Sequence, residues 1–242
     1  MAYLPAEAHP AATVVVLRDG ADGCEVLLVQ RNAQLAFHGG AWVFPGGRLD
    51  ASDYAEGGGD VVMAARYAAV REAREEAGIV VSPDQLVLLS RWVTPEIVPK
   101  RFDTWFFVGP AGTEAVQVDG GEIHAHCWMS PAGAIAAQRA GDLDLPPPTF
   151  VTLNQLAGLG TLEDTMVAIR QQSMEVYLPR VCSSPAGPCT VYQGDVAYDD
   201  GDTEKPGPRH RLVLAADGWR PRRFRLVAVD HRRPGRDARR GG

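Results

Sequence analysis

Two apolar, β-branched-rich runs open the chain, residues 12–17 and 25–30, with Gly20 and Gly23 punctuating the polar stretch between them. Short apolar runs bounded by turn residues predict a β-hairpin. Residues 32–40 read as a loop, and residues 41–44 as a short strand that ends in the turn Pro45-Gly46-Gly47. The pattern then changes period. Between about residues 61 and 77, Val62, Ala65, Ala69, Val70 and Ala73 recur among charges at helical spacing. Asp60 is placed to cap the start of this helix and Gly78 to close it in the left-handed position. Its apolar positions are mostly small, which suits a helix pressed closely onto a sheet.

Residues 86–93, 103–108 and 123–129 read as strands. Ser130-Pro131 opens a helix that stops at Gly141, and residues 149–159 and 162–172 look helical. Strands alternating with helices, with hairpins on one side, predict an α/β/α sandwich around a mixed central sheet. After about residue 174 the pattern changes again. Apolar runs at 174–181, 190–196, 211–215 and 223–229 are separated by Gly, Pro and Asp clusters. They predict an antiparallel β extension, either packed on the core or used in a homodimer contact. The expected organisation is therefore a domain over residues 1–173, the extension over 174–230 and a disordered basic tail over 231–242.

The densest chemistry lies in Arg71-Glu72-Ala73-Arg74-Glu75-Glu76-Ala77-Gly78. On a helix Glu72, Glu75 and Glu76 are related as i, i+3 and i+4 and share one face. Glutamate-rich helices usually carry such charge on a solvated surface, here with an Arg71–Glu75 pair. The upstream glycine turn alters that balance, because it sets backbone carbonyls beside a row of crowded anions. Carboxylates packed together call for a cation, and an all-oxygen set suits Mg²⁺ or Mn²⁺. Such a metal most often holds phosphate.

These residues resemble the Nudix box, written G-x5-E-x7-R-E-U-x-E-E-x-G-U with U aliphatic. Arg71, Glu72, Glu75, Glu76, Gly78 and Ile79 fall in register, with Ala73 at the first U position. Gly47 and Arg71, however, stand 24 positions apart where the pattern has 14, and Met63 occupies the place counted back from Arg71 for the first glutamate. About ten residues are inserted, assigned here to 49–60, and the first glutamate is either lost or replaced by Asp50, Asp53, Glu56 or Asp60. Gly57, Gly58 and Gly59 make this insert a candidate lid. A box insertion, together with Trp42-Val43-Phe44-Pro45-Gly46-Gly47, Thr94-Pro95 and the segment from Arg101 through Asp103 to Phe107, is similar to the Nudix branch that includes the peroxisomal coenzyme A diphosphatase. The resemblance spans roughly residues 10–155. A second motif of coenzyme A hydrolases, L-L-T-x-R-[SA]-x3-R-x3-G-x3-F-P-G-G, fits in frame at Leu27, Arg31, Gly40 and Phe44 to Gly47. Val29, Asn32 and Ala36 stand at three of its diagnostic positions.

The resemblance implies a Nudix sandwich and hydrolysis of a nucleoside diphosphate linked to another moiety, with coenzyme A or acyl-CoA as the first expectation. ADP-ribose or NADH is the alternative substrate, and a non-catalytic nucleotide-binding regulator is the alternative role. The retained glutamates argue against a regulator. By carry-over, Glu72, Glu75, Glu76 and the Gly47 carbonyl would hold the metal, and Arg71 would orient the glutamates. Arg31, Arg101 and Glu122 are candidate substrate contacts; Lys100 is another for phosphate, and an Arg101–Asp103 contact is the structural alternative. Glu122 could instead serve as base or metal ligand. His124 and His126 share one strand face and are read as ordinary strand histidines, with a soft-metal site as the alternative. Trp42, Trp105 and Phe37 could stack on a base, although core packing is the usual fate of aromatics.

Composition sets the outer bounds. A chain of 242 residues, 45% hydrophobic and 22% charged, can bury one sizeable core and carry an extension. A net charge of −6 argues against sequence-independent nucleic-acid binding. No apolar run reaches the roughly 18 residues of a membrane span. MAYLPAEAHP has neither the basic start nor the apolar core of a secretory signal, so a cytoplasmic protein is expected. Cys24, Cys127, Cys182 and Cys189 are expected as free thiols, with a Cys182–Cys189 bridge as the alternative.

Overall fold

The computed structural model describes residues 6–35, 38–216 and 218–222, with the backbone alone for Arg222. The predicted opening hairpin is formed by β1 (Ala8–Gly20) and β2 (Gly23–Arg31), in antiparallel register from Leu17↔Val26 to Gly20↔Gly23. β3 (Trp42–Val43) extends the sheet beyond β2, while β4 (Gly46–Arg48) folds back onto the start of β1. Two helices follow, α1 (Ala51–Glu56) and α2 (Val61–Ala77), then a short 3₁₀ turn and the antiparallel pair β5 (Val87–Val93) and β6 (Arg101–Pro110). β6 lies parallel to β1, from Ala8↔Arg101 to Leu17↔Pro110. β7 (Ile123–Met129) pairs antiparallel with β2. α3 (Pro131–Ala140), α4 (Pro147–Leu156) and α5 (Leu162–Arg170) complete the helices.

The predicted mixed sheet is present, in the order β3-β2-β1-β6-β5, with a short strand beyond β5 described below. β1 is its centre and is covered on both faces, which is why its sequence is an unbroken apolar run rather than an alternating one. Val14 and Val16 face the alanines of α2, whereas Val15 and Leu17 pack with Phe150 and Leu153 of α4 and Ile169 of α5. This gives the three-layer sandwich. α2 is held at both ends as its sequence predicts. Asp60 accepts hydrogen bonds from Val62 N–H and Met63 N–H, at 3.0 and 2.9 Å. Gly78 has φ 66°, and the Ile79 N–H reaches the Ala73 carbonyl at 3.1 Å to close the last turn. Ala64, Ala65, Ala68, Ala69, Ala73 and Ala77 are all buried, so the helix axis lies close to the sheet and its carboxylates close to the glycine turn.

The insert is not an open loop. Asp50 caps α1 through a capping box, and Gly58 and Gly59, at φ 64° and 83°, turn the chain into α2. Gly57 is pressed against α2: a Cβ there would stand 2.5 Å from the Ala64 nitrogen. Met63 is a half-exposed residue early in α2, away from any substitute role for the first box glutamate.

Beyond α5 the outcome is mixed. β8 (Glu175–Tyr177) joins the main sheet, parallel to β5, rather than the antiparallel extension in which its run was read. β9 (Arg180–Ser184), β10 (Gly187–Val191), β11 (Arg211–Ala215) and β12 (Gly218–Arg222) form a separate antiparallel sheet in the order β12-β11-β10-β9. A buried ion pair sits within it: Arg211 Nε donates to Asp195 at 2.8 Å. Tyr192 and Leu212 reach into the main core, and Trp219 Nε1–H donates to the Leu145 carbonyl at 2.9 Å. The fourth run predicted there, at 223–229, and the tail at 231–242 lie outside the described residues. Among the described residues no helix is long and apolar enough to cross a membrane.

Candidate active site

The glycine turn is clamped onto β1. Thr13 Oγ1 donates to the Pro45 carbonyl at 2.6 Å, and the Val14 N–H donates to the same oxygen at 3.0 Å. With Thr13 opposite Gly46 and Ala12 opposite Gly47, no side chain fits at position 46, where a Cβ would lie 2.7 Å from Thr13 Cα and overlap the Ala12 carbonyl oxygen. The next glycine meets the helix instead. A Cβ on Gly47 would stand 2.6 Å from the Glu72 carboxyl carbon, and the Gly46 N–H donates to Glu76 Oε2 at 2.9 Å. The adjacency of turn and carboxylates expected from sequence is therefore direct contact.

This contact separates two substitutions. Gly46→Ala meets backbone and is expected to cost about 1–3 kcal/mol of stability. Gly47→Ala meets only the far end of the Glu72 side chain, which must shift against its Arg71 hydrogen bond, so it is expected to cost less, about 1 kcal/mol. Displacing that carboxylate should nonetheless lower turnover about 100-fold, the usual effect of a 1 Å misplacement. Urea denaturation and steady-state kinetics on the two proteins check the contrast.

Glu76 is only 6% exposed. Burial pushes its carboxyl up to about 8, with the Glu72 and Glu122 charges adding to the rise and the Gly46 N–H and Arg31 opposing it. Glu72 is also raised, first by burial and then by Glu75 and Glu122, against the hydrogen bond and charge of Arg71. Glu75 stands at the rim, its side chain 58% exposed. Arg71 Nη1 donates to Glu72 at 2.7 Å and to Glu75 at 3.0 Å, and so bridges the two carboxylates. Among the described residues no three His, Cys, Asp or Glu side chains are already gathered as a ligand cage. Even so, a desolvated carboxylate with a raised affinity for protons, beside a second raised carboxylate and a glycine turn, is an all-oxygen donor set short of positive charge. Those residues fit a hard divalent cation.

Of the four acids that the sequence left open, the structure brings Asp53 into hydrogen-bond contact with Arg71, with the exposed Asp50 at 3.6 Å. Arg71 donates from Nε to Oδ1 at 3.2 Å and from Nη2 to Oδ2 at 2.9 Å, and also to the Arg48 carbonyl at 2.9 Å. Asp53 is 3% exposed, and its Oδ2 also accepts from the Asp50 N–H. Counted forward from Gly47, Asp53 occupies the place of the first box glutamate, so the extra residues lie between Asp53 and Arg71. The same pair ties α1 to α2, so the insert is packed against the helix that carries the acids.

The acids line an open cleft of about 1200 Å³. Arg31 and Glu122 face each other across part of it, 3.7 Å apart, and Lys100 lines it from the start of β6. Arg101 does not line it. Its guanidinium is bound to the carbonyls of Thr94 and Ala6, at 3.1 and 2.7 Å, which corrects its reading as a substrate contact. Nor does Arg101 pair with Asp103, whose partner is Arg91 at 2.7 Å. His124 and His126 are exposed strand residues, Trp105 is buried against the α2 face, and Trp42 packs at the edge of the other core. Phe37 lies outside the described residues. Sequence reasoning missed the far wall of the cleft, where Trp92, Phe102 and Val98 meet Pro179, Val181 and Tyr192 from the C-terminal region. It also missed His38, a cleft residue with φ 52° whose imidazole is pushed below its ordinary value by burial and by Arg31, against Asp144. No motif marks either.

The profile of the NUDIX domain family matches residues 7–147. The acyl-coenzyme A diphosphatase NUDT19 of Xenopus laevis is 21% identical, over 79% of this chain and 75% of that protein. The Homo sapiens protein of the same name is 29% identical over 47% of this chain and 32% of its own length. Among solved structures, a NUDIX hydrolase from Alicyclobacillus acidocaldarius matches with a TM-score of 0.61 and 27% identity, covering 66% of this chain and 96% of that one.

Proposed function

Because the chain belongs to the NUDIX domain family, we propose that it is a Mg²⁺- or Mn²⁺-dependent diphosphatase whose substrate is coenzyme A or an acyl-CoA. The observation that carries this reading is a single cleft with two unlike halves. One half holds Glu72, Glu75, Glu76 and the glycine turn; the other is apolar, built from Trp92, Val98, Phe102, Val181 and Tyr192. At about 1200 Å³ the cleft exceeds the usual range for small-molecule pockets, about 300–1000 Å³. A nucleotide, a diphosphate and a long apolar-to-polar tail need that combination. The similarity to two proteins named acyl-coenzyme A diphosphatase supports the same substrate class.

Glu72, Glu75, Glu76 and the Gly47 carbonyl are the residues that would hold the divalent ion. When bound, it supplies Lewis-acid charge at the phosphoryl oxygens and lowers the pKa of water. The protein's own part is positional. Gly46 N–H fixes one oxygen of Glu76, and Arg71 fixes Glu72. Arg31 and Lys100 bring positive charge to the cleft walls, where diphosphate oxygens would lie. Glu122, 62% exposed at the rim, is free of the packing that holds the helix acids and is suited to take a proton from water.

The test is a panel of coenzyme A, acyl-CoA, ADP-ribose and NADH incubated with Mg²⁺ or Mn²⁺, with products read by mass spectrometry. Release of 4′-phosphopantetheine or its acylated form is the expected result. AMP plus a sugar phosphate would move the assignment to ADP-ribose-type substrates, and binding without products would make the protein a regulator.

A further inference from the structure

We propose that Cys182 and Cys189 are a reversible dithiol–disulfide pair which, when closed by a small-molecule disulfide, staples the β9–β10 hairpin in the wall of the cleft. All four cysteines are free thiols in this structure. Two of them are direct cross-strand partners, in the register Gly187↔Ser184, Pro188↔Ser183, Cys189↔Cys182, Thr190↔Val181. Opposed residues of an antiparallel pair project from the same face. Both thiols accordingly pack on one small cluster, with Val191, Ala197 and Val213.

The register also fixes their separation. Pro188 has no N–H, so Pro188↔Ser183 cannot be a pair that exchanges two hydrogen bonds. Pairs alternate along an antiparallel ladder, which makes Cys189↔Cys182 a hydrogen-bonded pair with Cα atoms about 5.5 Å apart. That is within the range a disulfide spans, about 4.4–6.8 Å. The β-carbons of such a pair lie at the wide end of the cross-strand range, so closure draws the strands together slightly. A bond of that kind is easily reduced again.

The two thiols differ in access. Cys182 is partly exposed, whereas Cys189 is buried. Burial holds both thiols above their ordinary range, with Asp195 adding to the rise and the Arg211 guanidinium opposing it, so access rather than acidity sets the order of reaction. Exchange therefore begins at Cys182. Its thiolate displaces one thiolate from the disulfide RSSR and forms a Cys182–S–S–R mixed disulfide. The Cys189 thiolate then attacks the Cys182 sulfur and expels the second RS⁻. Two protein thiols are oxidised, RSSR is reduced to two RSH, and the two protons pass from the protein thiols to the released thiolates.

The neighbours of the pair give the staple a place to act. Val181 and Thr190, the next cross-strand partners, both line the cleft. Cys24 and Cys127 lie on the main sheet and serve as internal controls.

The experiment treats the full chain with glutathione disulfide, blocks remaining thiols with N-ethylmaleimide and maps the peptides by mass spectrometry. The expected product is a linked Cys182–Cys189 peptide that has lost two hydrogens, with Cys24 and Cys127 still alkylated. Dithiothreitol should reverse it. Cys189→Ser should stop at a glutathione adduct on Cys182. Hydrogen exchange of the amides from Val181 to Thr190 should slow about tenfold in the oxidised protein and recover on reduction. A lasting glutathione adduct on wild-type Cys182 with Cys189 still alkylatable would overturn the proposal, as would no oxidation at all. A linked pair with unchanged exchange would overturn the staple.

Discussion

Glu76→Gln is expected to lower turnover of the diphosphate substrate by about 10³-fold, the scale on which loss of one positioned charged group acts. The side chain is nearly isosteric and should keep the hydrogen bond from the Gly46 N–H, so the loss isolates charge. The carboxyl also gives the prediction a second, independent readout. Its value in the metal-free protein is pushed up from 4.5 to about 8, chiefly by burial. Between those values the folded protein holds a proton that the unfolded chain has released. Stability of the metal-free protein contributed by this group therefore falls as pH rises through that window and levels off above it. Metal must displace the same proton, so apparent affinity for Mn²⁺ should rise with pH up to about 8 and then flatten. In Glu76→Gln both pH dependences should shrink. Urea midpoints without metal and Mn²⁺ titrations, run on the two proteins across pH, measure the difference. If the wild-type and variant stability curves run parallel at every pH, Glu76 is not the buried acid described here.

Features that depend on local geometry were legible in the sequence. The i, i+3, i+4 spacing of Glu72, Glu75 and Glu76, the Asp60 cap and the Gly78 stop each follow from a few consecutive residues, and all three stand as read. Features set by pairing between distant strands were not. Arg101 was a reasonable phosphate contact until the register of β6 fixed which alternate residues face the cleft; Phe102, Thr104 and Phe106 do, and Arg101 and Asp103 do not. The Arg91–Asp103 pair depends on the β5–β6 register in the same way. β8 has only three residues, and what places it beside β5 is the stacking of Tyr177 on Trp92, at 3.9 Å between ring centroids. No pattern within the run could supply that. Asp53 lay between these cases. Its spacing from Gly47 was available, but choosing it over Asp50, Glu56 or Asp60 required knowing that α1 turns Asp53 under Arg71.

The ion pair made by Asp53 should be strongly asymmetric. Asp53 is buried, and Arg71 donates both of the side-chain hydrogen bonds it accepts, the Asp50 N–H adding a third. Arg71 is 22% exposed and retains Glu72, Glu75 and the Arg48 carbonyl if Asp53 is lost. Arg71→Ala leaves a buried carboxylate without its cation and is expected to cost about 3 kcal/mol, the low end for a broken buried pair because water reaches part of the guanidinium. Asp53→Asn leaves a solvated arginine with other acceptors and should cost about 1 kcal/mol. Combining Arg71→Ala with Asp53→Asn should then be less damaging than the sum, with a coupling of about 1–2 kcal/mol. Turnover separates the two roles of Arg71. Arg71→Ala frees Glu72 and should lower turnover about 100-fold, whereas Asp53→Asn, which keeps the Arg71–Glu72 bond, should lower it less than about tenfold. Urea unfolding of the three proteins and kinetics of the two single variants provide the numbers. Equal losses of stability from either single change, adding without coupling in the double, would mean that Asp53 does not stand in for the missing box glutamate.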